Sequence, residues 1–285
     1  MPSMLTLGGY LTSRRPISLV REAVRTRQPF DELMVPVGCL ESDLAMGLPD
    51  LQRYTIGLIT LGVWGLAPAV RDRVESGSIE PIEWGVTSVL RSFQAGGRLE
   101  PTARGRFRPP TFGAPLDSDG LPVTGSMREL PARRPDVAYL HVPYADPVTG
   151  RAWAYGAGVD LIIAVAARKL VISYDIAVSE PPHLPNRFIV PRHLVGELVH
   201  RPFGGFPTNS YPLYGPCGPF YPRYIGIFDE RRDSWRSEAL CGEDDRAFIR
   251  RFASDDDLSL TIGFGPAPTP EVVRHRKELM AWLMN

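Results

Sequence analysis

Chemistry in this chain has few candidate groups, and they are scattered. Gly8-Gly9-Tyr10 leads into Ser13-Arg14-Arg15-Pro16, Glu41 follows Gly38-Cys39-Leu40, and Glu83 stands before Trp84. Gly8 and Gly9 close a predicted strand. With no side chains there, their N–H groups can either approach a ligand oxygen or simply form a tight turn. His141 and Asp146 suit a hydrogen-bonded pair or, alternatively, a structural turn. His193 and His200, seven residues apart, fit neither adjacent helical turns nor one strand face, and read as surface or packing histidines. The sequence has no P-loop, no HExxH and no GxSxG elbow. Gly156-Ala157-Gly158 begins like a dinucleotide loop, but the third glycine is missing and Asp160 stands in the first turn of the next helix, where it would repel a pyrophosphate. With no self-contained constellation, the chain reads as half of a site.

Composition narrows the partners. Lys+Arg and Asp+Glu both number 32, so the formal net charge is zero and no basic excess exists to attract a nucleic acid or an anionic membrane. Lys169 and Lys277 are the only lysines, so arginine carries nearly all the positive charge. This fits GC-rich coding, and also arginines that hold carboxylates or phosphates bidentately. Cys39, Cys217 and Cys241 are far apart, which indicates neither a disulfide framework nor a zinc site and suits a reducing cytoplasm. No apolar run approaches the roughly 18 residues that span a bilayer, and Met1–Gly9 carries no signal-peptide pattern.

Strands and helices alternate around these residues. Strands are predicted at Met4–Leu7, Glu32–Val37, Arg53–Ile59, Ile79–Trp84, Asp136–Val142 and Leu170–Tyr174. Helices are predicted at Ile17–Arg27, Pro68–Ser76, Val86–Ala95, Val159–Ala167, Glu243–Phe252 and Pro270–Met284, with Ile17, Val20 and Val24 on an inner face and Arg21 and Arg25 towards water. The alternation predicts one α/β domain over residues 1–285, an open, mostly parallel sheet with helices on both faces. Residues 96–134 read as a long loop, Pro202–Tyr224 as an ordered irregular loop, and closing helices follow residue 225.

Three stretches together resemble the α subunit of glutaconate CoA-transferase and its class I CoA-transferase relatives. The first is Gly8-Gly9-Tyr10 with Ser13-Arg14-Arg15-Pro16 and the helix from Ile17. The second runs from Gly57 through Gly65-Leu66-Ala67-Pro68 and Arg71 to Gly77-Ser78-Ile79-Glu80 and Glu83-Trp84. The third is Val190-Pro191 followed by Pro202-Phe203-Gly204-Gly205-Phe206-Pro207-Thr208. The resemblance covers roughly residues 4–215 and implies the CoA-transferase (NagB/RpiA-like) fold. It further implies a β-type partner, a heterotetramer, and an active site between the two kinds of chain. A glutamate of the partner would attack a small acyl-CoA thioester, which is covalent catalysis by a carboxylate. The catalytic nucleophile is thus expected outside this chain, and Glu41 falls where the α pattern has its own loop. Coenzyme A arrives with the substrate, and no metal or bound organic cofactor is required. Substrate- or CoA-binding roles fall to Gly8, Gly9, Tyr10, Arg14, Arg15, Thr60, Glu83 and Phe206, with Arg14 or Arg15 either on a substrate carboxylate or in a solvent-facing turn.

One stretch departs from the family pattern. Where relatives read close to G-Y-x-G-x-E, this chain has Gly57-Leu58-Ile59-Thr60-Leu61-Gly62, so Thr60 replaces a glycine and Gly62 a glutamate. A less polar acyl pocket favours loss of a substrate carboxylate as CO2. That keeps open a decarboxylase of glutaconyl- or 3-methylglutaconyl-CoA, beside a CoA-ester hydrolase or C–C lyase and a catalytically silent structural role.

Overall fold

A computed structural model describes residues 3–99, 102–106, 127–156, 158–230, 244–265 and 269–284. Strands β1 (Met4–Leu7), β2 (Glu32–Val35), β3 (Arg53–Ile56) and β4 (Glu80–Glu83) alternate with helices α1 (Ile17–Arg25), α2 (Leu40–Ala45) and α3 (Pro68–Glu75). Helix α4 (Val86–Gly97) then precedes a two-stranded antiparallel ribbon, β5 (Thr102–Arg106) with β6 (Met127–Pro131). The chain returns as β7 (Val137–Asp146), β8 (Arg151–Tyr155), α5 (Val159–Ala166), β9 (Lys169–Ala177), β10 (Arg187–Val190) and β11 (Glu197–His200). Among the described residues four helices close it: α6 (Phe220–Glu230), α7 (Asp245–Phe252), α8 (Asp255–Gly263) and α9 (Pro270–Met284).

Seven strands run parallel in the order β4-β3-β2-β1-β7-β9-β11, and β8 and β10 join antiparallel on the far end of β7. Side chains alternate across this sheet. Leu5, Leu7, Leu33 and Val35 face α1, α2 and the closing helices, while Met4, Met34, Ala138 and Leu140 face Val89 and Phe93 of α4 and Ile163 of α5. Both faces are therefore covered, which is why the central strands read as apolar runs. The loops that leave the carboxyl ends of β1, β2 and β3 lie along one edge of the sheet, where open α/β folds carry their sites.

Several expectations need correction. Arg21 does not face water: its Nη1 lies 2.6 Å from Asp245 Oδ1, and the guanidinium sits 3.8 Å over the Phe248 ring, so α7 buries it. Only Arg25 of that pair is exposed, bonded to Glu22. The expected loop at 96–134 contains the β5–β6 ribbon, and residues 107–126 lie outside the described ones. The Pro202–Tyr224 loop ends in the first turns of α6, because Pro219 and Pro222 occupy positions at and near a helix start where a missing N–H does little harm. Strands β8, β10 and β11 and helices α2 and α8 have no counterpart in the sequence reading. Glu243, the expected start of α7, lies outside the described residues, and Asp244 caps that helix by accepting from Ala247 N.

His141 does not pair with Asp146. Its Nδ1 is 2.9 Å from Ser173 Oγ and its Nε2 3.0 Å from Asp175 Oδ2, both on β9, because parallel register brings His141 opposite Ser173. Asp146 instead accepts from the backbone N–H groups of Val148 and Thr149 in the turn before β8. Ser210 Oγ donates to Asp175 Oδ2 at 2.6 Å and Tyr214 OH to Asp175 Oδ1 at 3.2 Å, so this buried carboxylate fastens the 202–214 loop to the sheet. Removing one such donor typically costs about 1–2 kcal/mol. Ser210→Ala is expected to lower the urea midpoint accordingly, without change in the denaturant slope.

Candidate active site at the carboxyl ends of the first strands

The loop after β1 is held in an unusual backbone shape. Gly9, Leu11 and Arg14 all have positive φ, at 87°, 49° and 52°. A Cβ on Gly8 would lie 2.0 Å from Leu140 Cδ2, so only glycine passes between β7 and α5. Both glycine amides are engaged inside the chain: Gly8 N donates to Tyr139 O at 2.9 Å and Gly9 N to Asp160 Oδ1 at 2.6 Å. They serve the tight packing rather than present free N–H groups.

Arg14 and Arg15 leave this loop in different directions, and both are buried. Arg14 Nη2 lies 2.8 Å from Asp160 Oδ2, its Nη1 donates to Tyr155 O, and its guanidinium lies 5.5 Å from the Phe188 ring centroid. Asp160, in the first turn of α5, thus holds Gly9 and Arg14 together from a helix N-terminus that favours its charge. Arg15 Nε donates to Leu11 O at 2.6 Å, and its Nη1 donates to Gly8 O at 3.1 Å and Val37 O at 2.7 Å. One side chain so ties the loop after β1 to the end of β2. The solvent-facing basic turn is excluded for both arginines.

Arg15 Nη1 also lies 3.3 Å from Glu41 Oε1, with both side chains fully buried. Glu41 Oε1 accepts from Cys39 N and Ser42 Oγ, each at 3.0 Å. Burial pushes the Glu41 carboxyl up, against the pull of Arg15, and pushes the Cys39 thiol up to about 12. Cys39 therefore stays a neutral thiol. Asp43 Oδ1 accepts from Val70 N at 2.8 Å and Oδ2 from Tyr224 OH at 2.6 Å, and burial pushes it up to about 7.

The Asp43 value fixes a sign. An unfolded Asp titrates near pH 4, so between roughly pH 4 and 7 the native state binds more protons than the unfolded state, and stability falls as pH rises through that window. The expected loss is on the order of a few kcal/mol, complete above the folded value. Asp43→Asn should flatten this part of a stability-against-pH profile measured by urea unfolding; an unchanged slope would contradict the assignment.

The remaining candidates divide between rim and core. Tyr10 is exposed at the loop tip, Glu83 is exposed at the end of edge strand β4, and Thr60 is half-buried, accepting from Gly62 N at 2.9 Å. Phe206 does not reach a pocket surface. It is buried with edge-to-face contacts to Phe220 and Phe248, so it supports the site from beneath. The loops after β1 and β3 expose Tyr10, Leu11, Leu58, Val63 and Leu66, and Val63 is 92% exposed. Asp160 joins the site without a sequence signal that marks it as a partner, being visible in the sequence only as a charge unsuited to a nucleotide.

No family model matches the chain. In sequence it is similar to the A-subunits of CoA-transferases, and it shares the fold of a solved CoA-transferase. More particularly, it resembles the A-subunits of two such enzymes. It is 26% identical over 247 residues to that of 3-oxoadipate CoA-transferase from Pseudomonas knackmussii, covering 81% of this chain and 85% of that one. To that of glutaconate CoA-transferase from Acidaminococcus fermentans it is 29% identical over 117 residues, 40% of this chain and 35% of that one. An uncharacterized protein of Archaeoglobus fulgidus is 34% identical over 162 residues, and that match spans 53% of this chain but only 35% of the relative. The solved glutaconate CoA-transferase of Acidaminococcus fermentans shares the fold at a TM-score of 0.73 and 18% identity, covering 94% of this chain and 93% of that one. A variant of the decarboxylase AibA/AibB shares it at 0.68 and 24% identity, covering 84% and 93%. Among the described residues no helix is long and apolar enough to cross a membrane, and no cluster of His, Cys, Asp and Glu could hold a metal ion.

Proposed function

We propose that this chain is the α-type component of a heteromeric, cytoplasmic CoA-transferase-family enzyme, acting on a small glutaconyl-type acyl-CoA at the interface with a β-type subunit. The observation that carries the reading is the likeness to a CoA-transferase A-subunit through 81% of the chain. The exposed apolar side chains on the loops after β1 and β3 support it, because they cost least when another surface covers them. In this reading residues 1–285 form one domain, the assembly is a heterotetramer, and the partner supplies the nucleophile. Coenzyme A enters with the substrate, with no resident metal or organic cofactor. Tyr10, Thr60 and Glu83 stand at the rim where acyl-CoA would lie, while Gly8, Gly9, Arg14, Arg15 and Phe206 fix the loops beneath it.

A second reading, decarboxylation on the same scaffold, is favoured by one stretch. The family pattern that this sequence resembles has a glycine and a glutamate where this chain has Thr60 and Gly62, and Val63 and Trp64 follow, so this stretch carries no carboxylate. The two readings separate when the chain is co-purified with its β-type partner and incubated with glutaconyl-CoA, with and without acetate. Transfer predicts acetyl-CoA only with acetate; decarboxylation predicts CO2 release independent of acetate.

A further inference from the structure

Three consecutive residues of the 202–214 loop clip the loop after β1 to the far side of the sheet. Thr208 Oγ1 accepts from Arg15 N at 3.1 Å. Asn209 N donates to Thr12 O at 2.8 Å, and Asn209 O accepts from Arg14 N at 2.7 Å. Ser210 points the other way. Its Oγ donates to Asp175 Oδ2 at 2.6 Å, and His141 Nε2 lies 3.0 Å from the same oxygen. His141, Asp175 and Ser210 are all buried, so this end of the clip is fixed to β7 and β9.

The other end of the clip carries the rim. Tyr10 and Ser13 exchange both backbone hydrogen bonds, each at 3.0 Å, and close a turn in which Leu11 has φ of 49°. A left-handed leucine is disfavoured on its own, so a turn of this shape persists only where neighbours hold it. Ser13 makes the decisive contact. Its Oγ donates to Asn209 Oδ1 at 2.8 Å and accepts from Arg14 Nη1 at 3.4 Å. Ser13 and Asn209 are half-buried, so water can replace this bond and it adds little to global stability. What it fixes is the place of Tyr10. We propose that Asn209 is a positioning residue for the reaction: through Ser13 it sets the turn of residues 10–13, with Asp175 and His141 as its anchor. This rests on the acyl-CoA reading above, which puts Tyr10 at the rim. Misplacing a group there by about 1 Å costs up to roughly a hundredfold in rate.

The test has two arms. Asn209→Ala keeps both backbone bonds of residue 209 and removes only the carboxamide. In the full chain without partner, hydrogen exchange of the Tyr10 and Ser13 amides, followed by NMR, is expected to rise about tenfold. In the complex with the β-type partner and glutaconyl-CoA, kcat is expected to fall about tenfold while KM stays within about twofold. Asn209→Asp retains the Oδ1 acceptor and recovers most of the rate. Gly77→Ala, just beyond α3 and outside the site, lowers the urea midpoint and leaves kcat alone, which separates positioning from stability. Where Asn209→Ala fails to fold, Ser13→Ala removes the same bond from the other side. Unchanged amide exchange, an unchanged kcat, or a loss that Asn209→Asp does not recover overturns the proposal. If the unaltered complex leaves glutaconyl-CoA intact, the acyl-CoA reading falls, and the exchange arm alone decides: faster exchange supports the role of Asn209, and unchanged exchange overturns it.

Discussion

Replacing Arg15 by methionine lowers the unfolding free energy by about 4 kcal/mol, the cost of leaving one partner of a buried ion pair uncompensated. The size follows from what the guanidinium does. It donates to three backbone carbonyls, of Leu11, Gly8 and Val37, and it lies 3.3 Å from a carboxylate with no exposure to water. Methionine fills similar space and restores none of these contacts. The carbonyls of two strand-end loops then lose their shared donor, and Glu41 either stays charged in a low dielectric or takes a proton. Arg15→Lys recovers little, because an ammonium has no planar fork to reach acceptors on different loops. Urea unfolding at pH 7 reads the effect. A loss below about 1 kcal/mol would match a surface pair instead and contradict this picture of Arg15 as the tie between β1 and β2.

Gly9→Ala is expected to cost about 3 kcal/mol, from a left-handed residue with a side chain and from overpacking. Gly9 has φ of 87°, and its new Cβ would meet Ser13 O at 2.5 Å and Arg14 O at 2.7 Å. Both obstacles are backbone atoms of the same loop and cannot rotate away. Relief requires the loop to open, which pulls the Gly9 amide from Asp160 and loosens the Arg14 pair held by the same carboxylate. A control at Gly77 separates the two causes. It has φ of 67° but open space around its Cβ position, so Gly77→Ala carries the backbone strain alone, about 1–2 kcal/mol. Equal losses at the two positions would show that the crowding at Gly9 is unimportant.

The sheet is legible in the sequence because its strands announce themselves locally. Met4–Leu7 appears with the expected bounds, and the helix Pro270–Met284 matches to the residue, since Thr269 and Pro270 mark its start. Expected strand ends run two to three residues long at β2 and β3, where apolar residues continue into the loops that follow. The short elements β8, β10 and β11 stay hidden because their pairing partners, not their own patterns, make them strands.

The site is less legible for a different reason. Arg14 and Arg15 are adjacent in sequence and look alike, yet one pairs with Asp160 and the other with Glu41. Sequence spacing gives no access to pairs separated by 146 positions, as Arg14 and Asp160 are. The same limit misplaces Arg21, whose partner Asp245 comes from a helix far along the chain. It also gives His141 a neighbour in sequence when its neighbours in space lie on β9. Backbone-determined features survive such reasoning, and long-range electrostatic pairs do not.

Shared construction of the reactive centre is the claim on which the functional account rests, and mixing the purified chain with its β-type partner tests it directly. Turnover of glutaconyl-CoA is measured as the partner is added in increasing ratio. The account predicts no turnover by the chain alone and a rise that levels off at about one β-type chain per α-type chain, as a stoichiometric assembly requires. Sustained turnover by this polypeptide alone would contradict it.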